Sequence, residues 1–258
     1  MLFRSVEESR RFDQVGHCQG WVELAGERIV LDRWWSTRDH SWGVRENMGI
    51  PEPVTGAAPA PSAGALFAFL FFSTESIGGH LQIAQFAGRP DYFTAEISKA
   101  GASGSQGAFD ASADAGSGGH ASAGIHLQSS KLAVQFHDAK RPRRMKSARF
   151  DAVTDDGREV VIEATALCPA VDMQGLGYSG GYQDGKGLGI WRGEAHVESD
   201  TWDVTDPCEV ARSDGSRARP IHRIQPVHLS LRGAGLDGQG TGSLTMIAEG
   251  TLPHLGLE

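Results

Sequence analysis

Residues 65–72 read ALFAFLFF, eight apolar side chains with no polar residue among them. A half-buried strand alternates apolar and polar residues, whereas a short unbroken apolar run belongs to a strand covered on both faces. Leu66 to Ser73 is therefore read as a strand that is buried on both sides or lies where a barrel interior is apolar. The run is far short of the roughly 20 residues that cross a bilayer as a helix, so no membrane span is expected. The opening residues MLFRSVEESRRFDQ are charged and lack an apolar stretch, so no signal peptide is expected and the location is read as cytoplasmic.

On either side of this run the chain keeps giving short β segments. Phe12 to Leu24, the turn AGER and Ile29 to Leu31 form a hairpin pattern. His80 to Phe86, Tyr92 to Ser98, Leu132 to His137, Lys146 to Val153 and Glu159 to Ala166 follow, with Asp155-Asp156-Gly157 as the turn before the last. Gly189 to Glu198 (GIWRGEAHVE) alternates as a further strand, and Ile224 to Leu231 and Ser243 to Ala248 are late additions. No amphipathic helix longer than two turns stands out. The fold class is all-β, an antiparallel barrel or sandwich.

Composition agrees. Gly accounts for 34 of 258 residues, about 13% against a usual ~7%, which suits turns better than helices. The formal charge of -8 argues against a nucleic-acid partner, which would need a basic footprint. Three scattered cysteines, Cys18, Cys168 and Cys208, fit a reducing compartment and not a disulfide scaffold. Residues 101–124 hold 19 Gly, Ala or Ser among 24 and read as a flexible linker.

Several motif-like spacings carry no chemistry. Gly175-x-Gly177-x-x-Gly180 and Gly233-x-Gly235-x-x-Gly238 have dinucleotide spacing but open no helix, and Gly187 stands where a phosphate loop needs Ser or Thr. No cofactor is implied. The ten His are scattered without metal-ligand spacing, so no metal site is assigned. The basic run from Lys140 to Arg149 is read as a solvated hairpin with cations on its outer face.

The segment WWSTRDHSWG, residues 34–43, holds three of the six Trp beside Arg, Asp and His. As a strand it points Arg38, His40 and Trp42 one way and Thr37, Asp39 and Ser41 the other. Asp39 then cannot orient His40, whose carboxylate partner would come from another strand, with Glu194 or Glu198 as candidates. His40 beside Trp42 suits proton donation with an aromatic face that shields developing positive charge. The plainer alternative is an aromatic ladder with a hydrogen-bonded core histidine.

Gly16-x-x-x-Gly20-x-Val22, Gly26-Glu27-Arg28-Ile29, Arg38-Asp39-His40-Ser41-Trp42-Gly43-x-Arg45 and Gly187-x-Gly189-x-Trp191-x-Gly193-Glu194 together resemble the hydroxyneurosporene synthase (carotenoid 1,2-hydratase)/AttH-like double-calycin superfamily, in its uncharacterised branch. The resemblance covers about residues 11–73 and 126–204. It implies one full and one partial calycin-like, lipocalin-like β-domain. Residues 1–100 would be a partial domain carrying the D-H-x-W-G motif. Residues 125–206 would complete a calycin-like domain after the linker, and 207–258 would be loosely structured with one or two strands. Much of the N-terminal barrel is missing relative to the family, so a truncated member, a reduced architecture, a homodimer or a partner supplying strands are the alternatives.

The resemblance also implies a site. His40, Trp42 and Asp39 would be catalytic, and Arg38, Trp35, Phe67, Phe69, Trp191 and Glu194 would line the ligand. In the hydratase branch a Tyr and an Asp assist, and Asp91 and Tyr92 are the substitutes available here. Phe67 and Phe69 stand where polar partners are sought. The expected ligand is a hydrophobic small molecule (terpenoid, steroid or aromatic) held in an apolar cavity, with hydration, cyclisation or isomerisation as the chemistry. The alternative is a binding module without catalysis.

Overall fold

The computed structural model describes residues 8–44, 64–86, 90–99, 109–110, 124–138, 143–173, 190–197, 210–211, 217–218 and 222–257. The strands are β1 Glu8–Leu24, β2 Glu27–Val44, β3 Gly64–Thr74, β4 Ile77–Phe86, β5 Tyr92–Lys99, β6 Phe109–Asp110 and β7 Ile125–Phe136. They continue with β8 Met145–Thr154, β9 Glu159–Ala166, β10 Val171–Asp172, β11 Val210–Ala211, β12 Arg217–Ala218, β13 Arg223–Arg232 and β14 Gly238–Gly250. The helical content of the described residues is one 3-10 turn, Pro253–Leu255.

Eight strands close a barrel in the order β3-β4-β5-β7-β8-β9-β13-β14, and β14 pairs back onto β3. Every pairing is antiparallel and the order follows the chain, which is the up-and-down arrangement of calycin-like barrels. The sheet thus takes strands from both sides of the 101–124 linker and closes with two strands from 223–250. Closure removes the exposed edges that an open sheet would present.

The barrel interior is a packed core. Leu66, Ala68, Leu70 and Phe72 of β3 point inward with Leu81, Phe150, Ile162, Leu229 and Leu244, all fully buried. Each large side chain buried in this way contributes about 1.5–3 kcal/mol. A Cβ placed on Gly79 would lie 2.9 Å from the Phe72 ring, and one on Gly242 would lie 2.9 Å from a Leu229 methyl. Around Phe72, Gly79, Leu229 and Gly242 the interior is filled by these side chains.

One barrel end is closed by charge. Asp172 of β10 accepts from Arg144 and lies 3.0 Å from Arg223 Nε, while Arg143 donates to the carbonyls of Ala248 and Gly250 at 3.3 and 2.7 Å. The expectation of solvated cations along 140–149 is corrected at Arg143 and Arg144, while Lys146 is exposed and Lys140 and Arg141 lie outside the described residues. Arg143 is buried because its planar group satisfies two carbonyls at the end of β14, and Arg144 is spent on Asp172 and the Ala170 carbonyl. Burial and the neighbouring Arg144 push the Arg223 guanidinium below its ordinary range, and Asp172 opposes that shift. Leu252 and Leu257, flanking the 3-10 turn, complete the core at this end.

The remaining layer is a hairpin. β1 and β2 pair along nearly their whole length, from Glu8–Val44 to Leu24–Glu27. Ala25 and Gly26, both at positive φ, make the two-residue turn. Register shifts between Cys18 and Gly20, where Arg33 also has positive φ, giving a bulge that re-aims the distal half. β6, inside the Gly/Ala/Ser-rich stretch, adds two residues to the free side of β1.

The expected strand over 189–198 is also corrected. Its described part, residues 190–197, lies in no strand. Gly193 sits at φ 119, and Arg192 turns back to donate to the Ile190 carbonyl, so the extended path is broken.

Candidate functional site

The hairpin has two chemically different faces, and the register fixes them. Residues directly opposite in an antiparallel pair share a face. Asp13, Val15 and His17 oppose Asp39, Thr37 and Trp35, while Phe12 and Gln14 oppose His40 and Arg38. Trp35 donates its indole N–H to Ser73 Oγ at 3.0 Å, and a Val15 methyl lies 2.8 Å from where a Cβ of Gly78 would stand. At Val15 and Trp35 the odd-numbered face therefore rests on the outside of β3 and β4, while His17, Thr37 and Asp39 of the same row are exposed.

That contact explains the double burial of ALFAFLFF. Leu66, Ala68, Leu70 and Phe72 enter the barrel, while Phe67, Phe69 and Phe71 point to the hairpin side. Phe69 and Phe71 stack with centroids 4.2 Å apart, and the His80 ring meets Phe69 edge-on at 6.2 Å. Asp13 and His80 are buried here, the former completely. Sequence reading left both unremarked. For His80 the available signal was its place on the face of β4 opposite the core residues Leu81 and Ile83.

The even-numbered face looks outward. It carries Trp34, Ser36, Arg38, His40 and Trp42, with Gln14, Gly16 and Cys18 opposite on β1. Trp34 is 52% exposed and Trp42 48% exposed. The His40 and Trp42 rings are tilted against each other with centroids 5.5 Å apart. The two exposed Trp are eight residues apart on the strand, roughly 27 Å at the usual rise, so His40 and Trp42 form one aromatic pair and Trp34 stands apart from it.

The residues expected at the site divide accordingly. Arg38, His40 and Trp42 share the outer face, and Asp39 and Trp35 lie on the face toward the barrel. Phe69 is buried and Phe67 half-buried on the barrel side of the hairpin layer, away from the outer face. Trp191 and Glu194 are exposed in the irregular segment 190–197, and Glu198 lies outside the described residues. Asp91 accepts from Gln85 Nε2 at 2.7 Å, and Tyr92 opens β5 on the barrel.

Other motif residues fall into ordinary structure. Gly233 and Gly235 belong to the connection between β13 and β14 and have positive φ, and Gly238 opens β14. The glycines from 175 to 187 lie outside the described residues. Among the described residues no three His, Cys, Asp or Glu side chains converge on a metal position, and no helix is long and apolar enough to cross a membrane.

A family comparison matches residues 2–216 to a family of unknown function, DUF8625. The chain belongs to that family. The DUF8625 match takes in the hairpin and six of the eight barrel strands, and β13 and β14, which close the barrel, lie beyond it. No curated protein matches. Among solved structures this DUF8625 member is similar to the crystal structure of kievitone hydratase from Nectria haematococca, at 9% identity and a TM-score of 0.40. That similarity covers 90% of this chain and 50% of the other, so the chain spans about half the length of that protein.

Proposed function

We propose that this protein binds a hydrophobic small molecule of terpenoid, steroid or aromatic type, and that the ligand lies on the outer face of the hairpin and not inside the barrel. One observation carries this reading: Trp34 and Trp42 stand half exposed on a strand face whose reverse side is already used against the barrel. Trp34 and Trp42 give that face apolar area open to a ligand. Trp rings supply large apolar area at little cost in conformational entropy, which suits them to this role.

The test is a titration with N-phenyl-1-naphthylamine, whose emission rises on entering an apolar site. Saturable binding that weakens at least tenfold in Trp42→Ala supports the reading. Equal binding by the variant, with its fold intact by circular dichroism, contradicts it.

A catalytic reading is favoured by the contact of His40 with Trp42. The pair sets an imidazole, a side chain able to transfer protons, beside an aromatic surface. On this reading His40 donates the proton in a hydration, cyclisation or isomerisation, and Trp42 shields the cation. Loss of turnover in His40→Ala without a change in melting temperature supports it. Unchanged turnover in that variant removes it.

A further inference from the structure

Beyond the bulge the hairpin continues as a two-stranded arm with apolar side chains exposed on both faces. Trp21 and Val30 are directly opposed on one face, 55% and 69% exposed, and Val22 and Leu24 are exposed on the other. A two-stranded ribbon is marginally stable in water, and further strands over an apolar face are what secure it. β2 is the last strand of its sheet, so among the described residues no strand pairs with its outer edge.

That edge is complementary to itself. Residues 28–32 read Arg-Ile-Val-Leu-Asp. Laid antiparallel to a second copy about a two-fold axis at Val30, Arg28 stands opposite the partner's Asp32, Ile29 opposite the partner's Leu31, and Val30 opposite its own counterpart. A slide of one residue sets Arg28 against Arg33 or Glu27 against Asp32, and like charges directly opposite are destabilising. The backbone has the matching parity. Leu24 and Glu27 close the two-residue turn as a hydrogen-bonded pair. Alternation then turns the N–H and C=O of Arg28 and Val30 to the outer edge, and with them those of Asp32, before the positive φ of Arg33 interrupts the strand. These are the residues that face one another in the two-fold register.

We propose that the protein forms a two-fold dimer through this edge, joining two hairpins into a four-stranded sheet in the order β1-β2-β2-β1. A two-fold interface uses one patch twice, so the Arg28–Asp32 pair forms at both ends of it. Trp21 and Val30 of both copies make one apolar row, and Ile29 and Leu31 make another on the reverse face. Trp35, which ties each hairpin to Ser73 of its barrel, stands opposite the partner's Ala25. The two ties are therefore ten residues apart along the ribbon, roughly 33 Å, which sends the barrels to opposite ends.

Sedimentation velocity of the full chain over a concentration series tests this. The wild type is expected to move from 27.5 kDa toward twice that mass as concentration rises. Arg28→Asp and Asp32→Arg, both at exposed positions, each set like charges against one another at two places, and each should weaken self-association at least tenfold. An equimolar mixture of the two variants should recover the wild-type association, because the mixed dimer again places an acid opposite a base at both ends. Mixing does not repair a variant that has merely lost its fold, and circular dichroism of each variant should match the wild type. A wild type that stays at 27.5 kDa even at millimolar concentration overturns the proposal. So does a dimer that neither variant weakens, or a weakening in folded variants that mixing fails to reverse.

Discussion

Trp35 Nε1 lies 3.0 Å from Ser73 Oγ, so the hairpin is tied to the barrel by an indole donor on β2 and a hydroxyl acceptor at the end of β3. The two residues are 38 apart in sequence, and their bond sets which face of the hairpin remains open. Removing the acceptor by Ser73→Ala should cost about 1 kcal/mol, the net worth of one such bond. The loss should fall on the docking of the hairpin. Hydrogen exchange is expected to quicken in residues 8–44 and to stay unchanged in β13 and β14.

Gly78 and Gly79 are adjacent but face different layers, which gives a paired test. A Cβ on Gly78 meets the Val15 methyl of the hairpin, the end of a side chain that is able to shift. A Cβ on Gly79 meets the Glu96 carbonyl oxygen at 2.6 Å and the Phe72 ring inside the barrel. Gly79→Ala is therefore expected to destabilise the whole domain by about 1–3 kcal/mol, as overpacked cores do. Gly78→Ala should lower the global unfolding midpoint less and disturb the hairpin selectively, as read by Trp35 fluorescence in a background lacking the other exposed Trp.

Much of this architecture is legible in the sequence because its signals are local. Glu159–Ala166 is a strand with the bounds that its alternation suggests, and Asp155-Asp156-Gly157 turns the chain before it, with Gly157 at positive φ. The separation of His40 from Asp39 follows from strand alternation alone, and the register agrees. What local pattern hides is long-range pairing. Ile224 to Leu231 and Ser243 to Ala248 read as strands in sequence, but nothing local names their partners: Gly240–Gly250 pairs with Gly64–Thr74 and closes the barrel. The burial of Arg143 depends on carbonyls more than 100 residues away, which no spacing rule encodes. Gly189–Glu198 alternates well enough to suggest a strand, but the described residues Ile190–Val197 contain Gly193 at positive φ and no strand.

Asp172→Ala should be the most damaging single change among the polar residues. It removes the carboxylate between Arg144 and the buried Arg223, and breaking one side of a buried ion pair typically costs about 3–5 kcal/mol. Urea unfolding should show a lowered midpoint with an unaltered slope. An undiminished midpoint would mean that the charged closure of the barrel end contributes little.

Stability should fall as the solution is made mildly acidic, and His222 is the group responsible. Its half-buried imidazole titrates below its ordinary value of 6.5 because burial disfavours the charged form. The unfolded chain then binds a proton that the folded chain refuses, so stability is complete above 6.5 and declines as pH falls through the lowered folded value. Asp156 acts only at lower pH. Arg158 first, then Thr154, hold its carboxyl at about 2 instead of 3.8, so its contribution persists until pH falls toward that value. The group is fully exposed, which keeps its effect small. His222→Gln should flatten the pH dependence of the melting temperature just below 6.5, and an unchanged slope would assign it elsewhere.

The central claim is that the outer face of the hairpin, and not the barrel, holds the ligand. Hydrogen–deuterium exchange of the full chain with and without saturating N-phenyl-1-naphthylamine tests this most directly. Protection concentrated in residues 34–42 and their partners on β1 is the predicted result. Protection confined to the barrel strands β3, β4, β13 and β14, with the hairpin unaffected, would contradict it.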